Sequence, residues 1–399
     1  MRTAYKCRAY PDKAQQAILS RTFGCIRVVW NRTLAVRQTR YAAERKGTSY
    51  AETDRALTMM KRDPDLEFLN EVSAVPLQQT LRHQQAAFQA FFERRARYPR
   101  FKSRGGRQSA TYTRAAFRMK DGLLRLAKTD GPLRFIWSWP DMDVTALDPT
   151  SVTVTRDPAE RWFVTFHVDM PDPATLPAAG ESVGVDFGLT DLAVLSTGEK
   201  IPHPKHWERH EKRLKRYQRR LARCQKGSRN RAKARVKVAR AHAKVADARR
   251  DFLHKASIGL VRRFDVIAVE DLQVRNMVRN RHLARAISCT GWAELRSMAE
   301  YKAQRYGRTV IAVDRWYPSS KTCSACGHLL AMLSLSTRTW QCPSCGTWHD
   351  RDVNAAKNIL AAGLAVTACG GTVRRTEATP TRVPVKQENR RATAGILVL

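Results

Sequence analysis

No run of this chain approaches the roughly 18 consecutive apolar residues of a membrane-spanning helix. The opening MRTAYKCRAYPDK also lacks the apolar core of a secretory leader. A membrane is therefore set aside as a partner. The phosphate-binding loop that ends in Gly-Lys-Ser or Gly-Lys-Thr is missing too, so nothing suggests a P-loop nucleotide hydrolase. Acidic residues are scarce: 36 Asp and Glu stand against 72 Lys and Arg, for a formal net charge of +36. Such an excess exceeds what solubility needs and implies a polyanionic partner, for which nucleic acid is the usual candidate. Cysteines are few and mostly scattered. Cys7, Cys25, Cys224, Cys289 and Cys369 form no even, spaced framework, which speaks against a secreted disulfide scaffold and for a reducing cytosol.

The four remaining cysteines are ordered differently. Cys323 and Cys326 form one C-x-x-C pair, Cys342 and Cys345 a second, and a glycine follows each, Gly327 and Gly346. Two such knuckles match the tetrahedral Cys₄ geometry of a structural Zn²⁺ site. The glycines suit the tight turns that aim both sulfurs of a pair at one ion. Asp350 and Asp352 follow at once, then Asn354 and a helix-like AAKNILAAG. Acids at that junction suit either hard divalent cations or the capping of a helix N-terminus.

Read in order, 399 residues allow two or three domains. Residues 2–10 predict a strand ended by Pro11, and a helical region follows from Lys13 to Arg97. Within it Pro76 suits a first helical position, and Leu77, Leu81, Phe88, Phe91 and Phe92 form an apolar stripe. From Tyr98 the texture turns to short strands, including one pair around an Asp121-Gly122 turn, which suggests a small β-barrel or sandwich. Residues 171–181, rich in proline and alanine, read as a linker.

Ser182 to Val185 then predict a strand carrying Asp186. Residues 205–250 read as a basic helical hairpin broken at 226–230, with only Glu208, Glu211 and Asp247 against its many cations. Phosphate contact is the better reading of so unbalanced a run. Its second arm would align Ala232, Val236, Ala239, Ala243, Ala246 and Leu253. The short apolar run VIAV delivers Glu270 and Asp271 at its end, and a helix is expected from Thr290 to Tyr306. Beyond Gly363 the polar, basic tail is expected to be disordered.

Asp186, Glu270 and Asp352 thus fall on two strands and a helix start. Carboxylates that converge this way can hold two Mg²⁺ ions about 3.5–4 Å apart. In that arrangement one ion activates a water for in-line attack on a phosphodiester and the other stabilises the leaving 3′ oxygen.

GVDFGLTDLAVLSTG, VIAVEDL, PSSKTCSACG with CPSCG, and HDRDVNAAKNI, in this order, resemble the TnpB family of transposon-encoded, RNA-guided DNA nucleases related to type V CRISPR effectors. GCIRVVWN and YPRFKSR resemble it as well. The resemblance implies an α/β multidomain protein. It would have an RNase H-like RuvC nuclease domain over 182–317 and 347–363, with a zinc ribbon for target nucleic acid inserted at 318–346. An oligonucleotide-binding-like β-barrel over 1–11 and 98–170 would be interrupted by a helical recognition lobe over 12–97, with a basic tail over 364–399.

Carried over by motif, the catalytic acids are Asp186, Glu270 and Asp352, with Asp350 the alternative third acid. The implied cofactors are two Mg²⁺ ions, or Mn²⁺ in their place, and one structural Zn²⁺ held by Cys323, Cys326, Cys342 and Cys345. The implied partners are a guide RNA from the transposon end and double-stranded target DNA bearing a short adjacent motif. A transposase or junction nuclease that works without RNA is one alternative. An RNA-guided repressor that binds without cutting is the other.

Overall fold

The computed structural model describes residues 2–140, 142–171, 174–334 and 336–368. The chain divides into two compact units, Met1–Pro173 with His206–Ala248, and Ala174–Lys205 with Arg249–Leu399.

The first unit is built on a five-stranded antiparallel sheet. Its strands are β1 (Arg2–Ala9), β2 (Gln108–Thr113), β5 (Phe135–Ile136), β6 (Ser151–Arg156) and β7 (Trp162–Asp169), in the order β2-β6-β7-β1-β5. A separate hairpin pairs β3 (Phe117–Lys120) with β4 (Leu123–Leu126). Alternation sets the buried face. Tyr5, Cys7 and Ala9 of β1 and Trp162, Val164, Phe166 and Val168 of β7 are buried, and Tyr5 lies opposite Phe166. Of the LRFIWSW run only Phe135 and Ile136 pair as strand; Trp137 and Trp139 instead pack round Tyr5.

Helix α1 (Lys13–Glu44) starts with a capping box, Asp12 accepting from the Gln15 amide and Gln15 reaching back. Helix α2 (Tyr50–Arg62) and a 3₁₀ segment (Pro64–Asn70) fill the interval between α1 and the helix that carries Pro76. Helix α3 (Ala74–Phe92) begins two residues before Pro76, which is therefore its third position rather than its first. The two N-terminal motifs meet here. The Trp30 indole donates to the Arg100 carbonyl, and Asn31 and Lys102 exchange two hydrogen bonds, so α1 holds the YPRFK segment extended.

The basic hairpin is α4 (His206–Arg223) and α5 (Arg229–Arg263). Its residues His206–Ala248 group with the first unit, not with the segment that follows 182. Of the expected stripe of the second arm Leu253 is buried, Val236, Ala239 and Ala243 are half-buried, and Ala232 and Ala246 are exposed, whereas Ala234 and Val245, outside that stripe, are buried. Small alanines fit either side of a helix, so periodicity had little contrast to work on.

The second unit contains β8 (Ser182–Asp186), β9 (Asp191–Leu195), β10 (Lys200–Pro202), β11 (Val266–Glu270) and β12 (Thr309–Val313), in the order β10-β9-β8-β11-β12. Strands β8, β11 and β12 are parallel, β9 runs antiparallel to β8, and β10 runs antiparallel to β9. Both faces are covered, which explains why VIAV reads as an unbroken apolar run. Val183, Val185, Ile267 and Val269 pack with Leu260, Val261 and Phe264 of α5 and Ala303 of a later helix. The alternate residue Ala268 packs with Ile359 of the last helix.

Between β11 and β12 lie α6 (Val274–Met277), α7 (Ala284–Thr290) and α8 (Trp292–Tyr306). Left-handed Gly291 (φ 78°) separates α7 from α8, so the helix expected from Thr290 starts two residues later. The boundary between the two units falls within the expected linker, whose residues 177–180 are bonded into the second unit. Arg308 donates to the Pro177 and Val261 carbonyls and pairs with Asp265, whose carboxylate accepts from the Ala179 and Gly180 amides.

Strands β13 (Thr339–Gln341) and β14 (Trp348–Asp350) pair across the second cysteine pair, and the last helix, α9 (Arg351–Ala368), follows directly. Residues 364–368, expected to open a disordered tail, continue this helix. The rest of the tail lies outside the described residues.

Candidate active site and metal centre

Strand parity brings the acids together. Val185 lies opposite Val269 in the parallel pair β8–β11, so the next residues, Asp186 and Glu270, end the two strands side by side. Each is two residues beyond a position that faces α9, Gly184 and Ala268, and therefore projects to the same face. Helix α9 lies on that face and carries Asp352 in its first turn. The three acids line one cavity of about 370 Å³ together with Asp191, Ser319 and Arg351.

Small residues bring α9 this close. A Cβ on Gly184 would meet the Ala356 carbonyl oxygen at 1.9 Å and the Leu360 nitrogen at 2.7 Å. Gly363 does the same on the helix side, where a Cβ would fall 2.7 Å from that of Ala268.

Burial and neighbouring carboxylates dominate the electrostatics at Asp186. The Asp186 carboxyl is pushed up to about 8, first by desolvation and then by the charges of Glu270 and Asp352, against the pull of Arg351. Glu270 is also raised by desolvation, although the Ser319 hydroxyl donates to it at 3.1 Å. Asp271 behaves in the opposite way. Arg296 at 2.6 Å and Arg315 at 2.9 Å hold its carboxyl below the usual range, so Asp271 anchors the strand end and lies outside the cluster. A divalent cation would relieve the repulsion that Glu270 and Asp352 exert on Asp186, and carboxylate oxygens are the donors that a hard ion takes.

Asp350 and Asp352 separate by their partners. Asp350 Oδ1 accepts from the Asp352 and Val353 amides at 3.0 and 3.1 Å, the pattern of an N-cap. Its Oδ2 takes Lys200 at 2.8 Å. Burial would raise the Asp350 carboxyl, but Lys200 and the two amides hold it low. With both oxygens engaged, Asp350 seats the helix that presents Asp352. Asp350→Ala is expected to cost about 1 kcal/mol of stability, and Asp350→Asn, which also caps, should recover it. Chemical denaturation of the two variants beside wild type measures the difference.

The four knuckle cysteines come together as their spacing predicts, their sulfurs all within 4.8 Å of one another. Cys323–Cys345 and Cys326–Cys342 each stand 3.7 Å apart, too far for a disulfide. A tetrahedron with metal–sulfur bonds near 2.3 Å has edges of about 3.8 Å, so the set fits a zinc-sized ion. The knuckles are near copies of each other. Gly327 N donates to Cys323 O and Gly346 N to Cys342 O, both at 2.9 Å, and both glycines are left-handed, at φ 77° and 74°.

Buried His349 was not singled out by sequence. Its Nε2 lies 3.1 Å from Cys323 Sγ and its ring packs on Trp340 at 4.7 Å, a neighbour of the thiolates outside the C-x-x-C pattern. Gly180, Ser182 and Gly184 happen to match a nucleophile-elbow spacing. Ser182, however, opens strand β8 and does not sit at the strand-to-helix turn that such a serine needs.

Family models match residues 165–281 (IS605 OrfB, "Probable transposase"), 292–359 ("Cas12f1-like, TNB domain") and 1–46 ("Helix-turn-helix domain"). A "Putative RNA-guided DNA endonuclease" of Streptomyces pristinaespiralis is 52% identical over 99% of this chain and 98% of its own length. The chain belongs to the TnpB family.

A second TnpB relative, the "Putative RNA-guided DNA endonuclease InsQ" of Escherichia coli (strain K12), is 31% identical over 96% of each chain. The fold is shared more widely. A Cas12f1 chain from a cryo-EM complex with sgRNA and target DNA superposes with a TM-score of 0.56 at 15% identity, over 86% of this TnpB protein and 82% of that chain. In this TnpB chain the segment matched as helix-turn-helix is a strand followed by one 32-residue helix. Among the described residues no helix is long and apolar enough to cross a membrane.

Proposed function

We propose that this chain is an RNA-guided DNA endonuclease of a transposable element, cutting DNA by metal-dependent phosphodiester hydrolysis. The observation that carries the reading is the convergence of Asp186, Glu270 and Asp352 from β8, β11 and α9 on one cavity, in a chain whose full-length relatives bear that name. In this reading the β10-β9-β8-β11-β12 sheet with α9 is an RNase H-like RuvC nuclease core. The antiparallel sheet of the first unit is an oligonucleotide-binding-like barrel into which a recognition lobe of α1 to α3 is inserted. The Cys₄ site holds structural Zn²⁺.

Two divalent cations, Mg²⁺ or Mn²⁺, would supply Lewis-acid chemistry to the attacking water and the leaving oxygen. The chain's own residues do the rest. Asp186, Glu270 and Asp352 would hold those ions, with Ser319 fixing the Glu270 carboxylate and Asp350 capping the helix under Asp352. Arg338, 3.8 Å from Asp352, and Arg351 stand at the cavity, where a DNA phosphate would meet positive charge. Sequence is then read by pairing between a guide RNA and one DNA strand, while the protein grips backbone and a short adjacent motif. The net charge of +36 suits a large RNA together with DNA.

The test is to express the full chain together with its native flanking DNA and sequence the RNA that co-purifies. One abundant RNA from the element's edge is expected, and Mg²⁺-dependent cutting of a target designed from its end. Mg²⁺-dependent cutting of bare DNA by protein free of RNA would replace this reading with the transposase or junction-nuclease alternative. RNA-directed binding without cutting would make the chain a repressor.

A further inference from the structure

The ribbon and the acid cavity share a set of buried hydrogen bonds. Asn354 and Asn358 are four apart on α9 and thus on one face, and both are almost fully buried, 1% and 4% exposed. Each side-chain amide donates to the same two carbonyls. Asn354 reaches Ser319 O at 3.5 Å and Thr322 O at 2.7 Å, and Asn358 reaches them at 2.8 and 2.6 Å. Four N–H bonds thereby meet the four lone pairs of two carbonyls. Asn354 also accepts from the Ser324 amide at 2.9 Å, so the pair grips the chain on both sides of Cys323, the first ligand of the ribbon. Ser319, at the base of the gripped segment, is the residue whose hydroxyl donates to Glu270.

The two amides are not needed to cap α9, since Asp350 does that. Nor do they line the acid cavity. Both side-chain NH₂ groups go to the stem of the ribbon. An ion in the Cys₄ site fixes Cys323, Cys323 fixes the stem, and the stem carries Ser319 to Glu270.

We propose that Asn354, Asn358 and Ser319 are positioning residues that make the occupied ribbon a strut for the Glu270 carboxylate, so that loading of the thiolate site tightens cation binding at the acid site. This rests on the reading of Asp186, Glu270 and Asp352 as cation ligands.

The experiment uses the full chain purified free of nucleic acid, with zinc content measured by atomic absorption and Mn²⁺ binding by electron paramagnetic resonance. Binding lost in Asp186→Asn defines the acid site. Stripping zinc from wild type should weaken that binding about tenfold, the effect of losing an outer-shell partner. Ser319→Ala should keep its zinc and show the same weakening, and Ser319→Thr should restore it. In Ser319→Ala, stripping zinc should add nothing further, because the strut is already cut. Asn358→Ala should release zinc faster to a chelator and weaken Mn²⁺ binding as well.

A ribbon that only stabilises the fold would leave Mn²⁺ affinity unchanged within about twofold in Ser319→Ala, whose ligands and clamp are intact. That result overturns the coupling alone. Multiplying effects of Ser319→Ala and zinc removal would overturn it too. Wild-type protein with no Asp186-dependent Mn²⁺ binding would instead overturn the acid-site reading, and the strut with it.

Discussion

Asp186→Asn is expected to lower DNA cleavage by about three orders of magnitude, close to 4 kcal/mol of transition-state stabilisation, while RNA and DNA binding persist. The Asn variant is informative because the cavity already favours a neutral side chain there. Desolvation and two neighbouring carboxylates raise the Asp186 carboxyl to about 8, so without a cation it keeps its proton at neutral pH. The raised value also fixes the sign of the pH effect. The stability this group contributes is fully present below the unfolded-state value near 3.9 and is lost as pH rises through about 8. Asp186→Asn removes that loss, so the cation-free variant should unfold no earlier than wild type at neutral pH and later above pH 8. A bound cation must displace the same proton. The Mg²⁺ concentration for half-maximal cleavage should therefore fall about tenfold per pH unit up to about pH 8 and level off beyond it. Cleavage assays across that range, with filter binding on the variant, check each part. Cutting by Asp186→Asn at near wild-type rate would remove Asp186 from the mechanism.

The second large effect is expected from a single methyl group. Gly184→Ala would place a Cβ 1.9 Å from the Ala356 carbonyl oxygen, a backbone atom that cannot turn away. Either β8 or α9 must shift, and each carries one of the three acids. Overpacking of this kind costs about 1–3 kcal/mol and at backbone contacts more. Cleavage should fall at least as far as stability does, because Asp186 and Asp352 lose register with each other. Gly259→Ala is the matched control. It lies within α5 with nothing within 4 Å of its added Cβ, and should be neutral or stabilising by up to about 1 kcal/mol. Thermal unfolding and cleavage of the two variants, side by side, separate a packing clash from a general dislike of alanine.

The fold around these residues shows where sequence was a sufficient guide to placement. Asp186 and Glu270 were legible because each ends a short apolar strand, where a carboxylate needs a ligand or a partner. The cysteine pairs were legible because their geometry is local, four residues and a left-handed glycine at a time. Asp350 and Asp352 could not be told apart, since which carboxylate caps the helix depends on Lys200, 150 positions away. Ser319, Asn354 and Asn358 are small polar residues whose partners lie 30 to 49 positions off. The one signal for the two asparagines was their four-residue spacing on an otherwise apolar helix face. Pro76 was misplaced because proline is tolerated anywhere in the first turn, where the donor it lacks has no helical partner.

The seat that Gly184 makes for α9 also sets a timetable for synthesis. The strand with Asp186 and the helix with Asp352 lie 166 positions apart and meet only when both exist. A ribosome moving at about 5–20 residues per second needs on the order of ten seconds to cover that stretch. From about halfway through that stretch, once Glu270 has been made, the nascent chain has its antiparallel sheet and basic hairpin, the parts proposed to hold RNA, and two acids without the third. Cutting competence therefore arrives last. An aborted chain that stops within the ribbon would be able to carry nucleic acid and unable to break it.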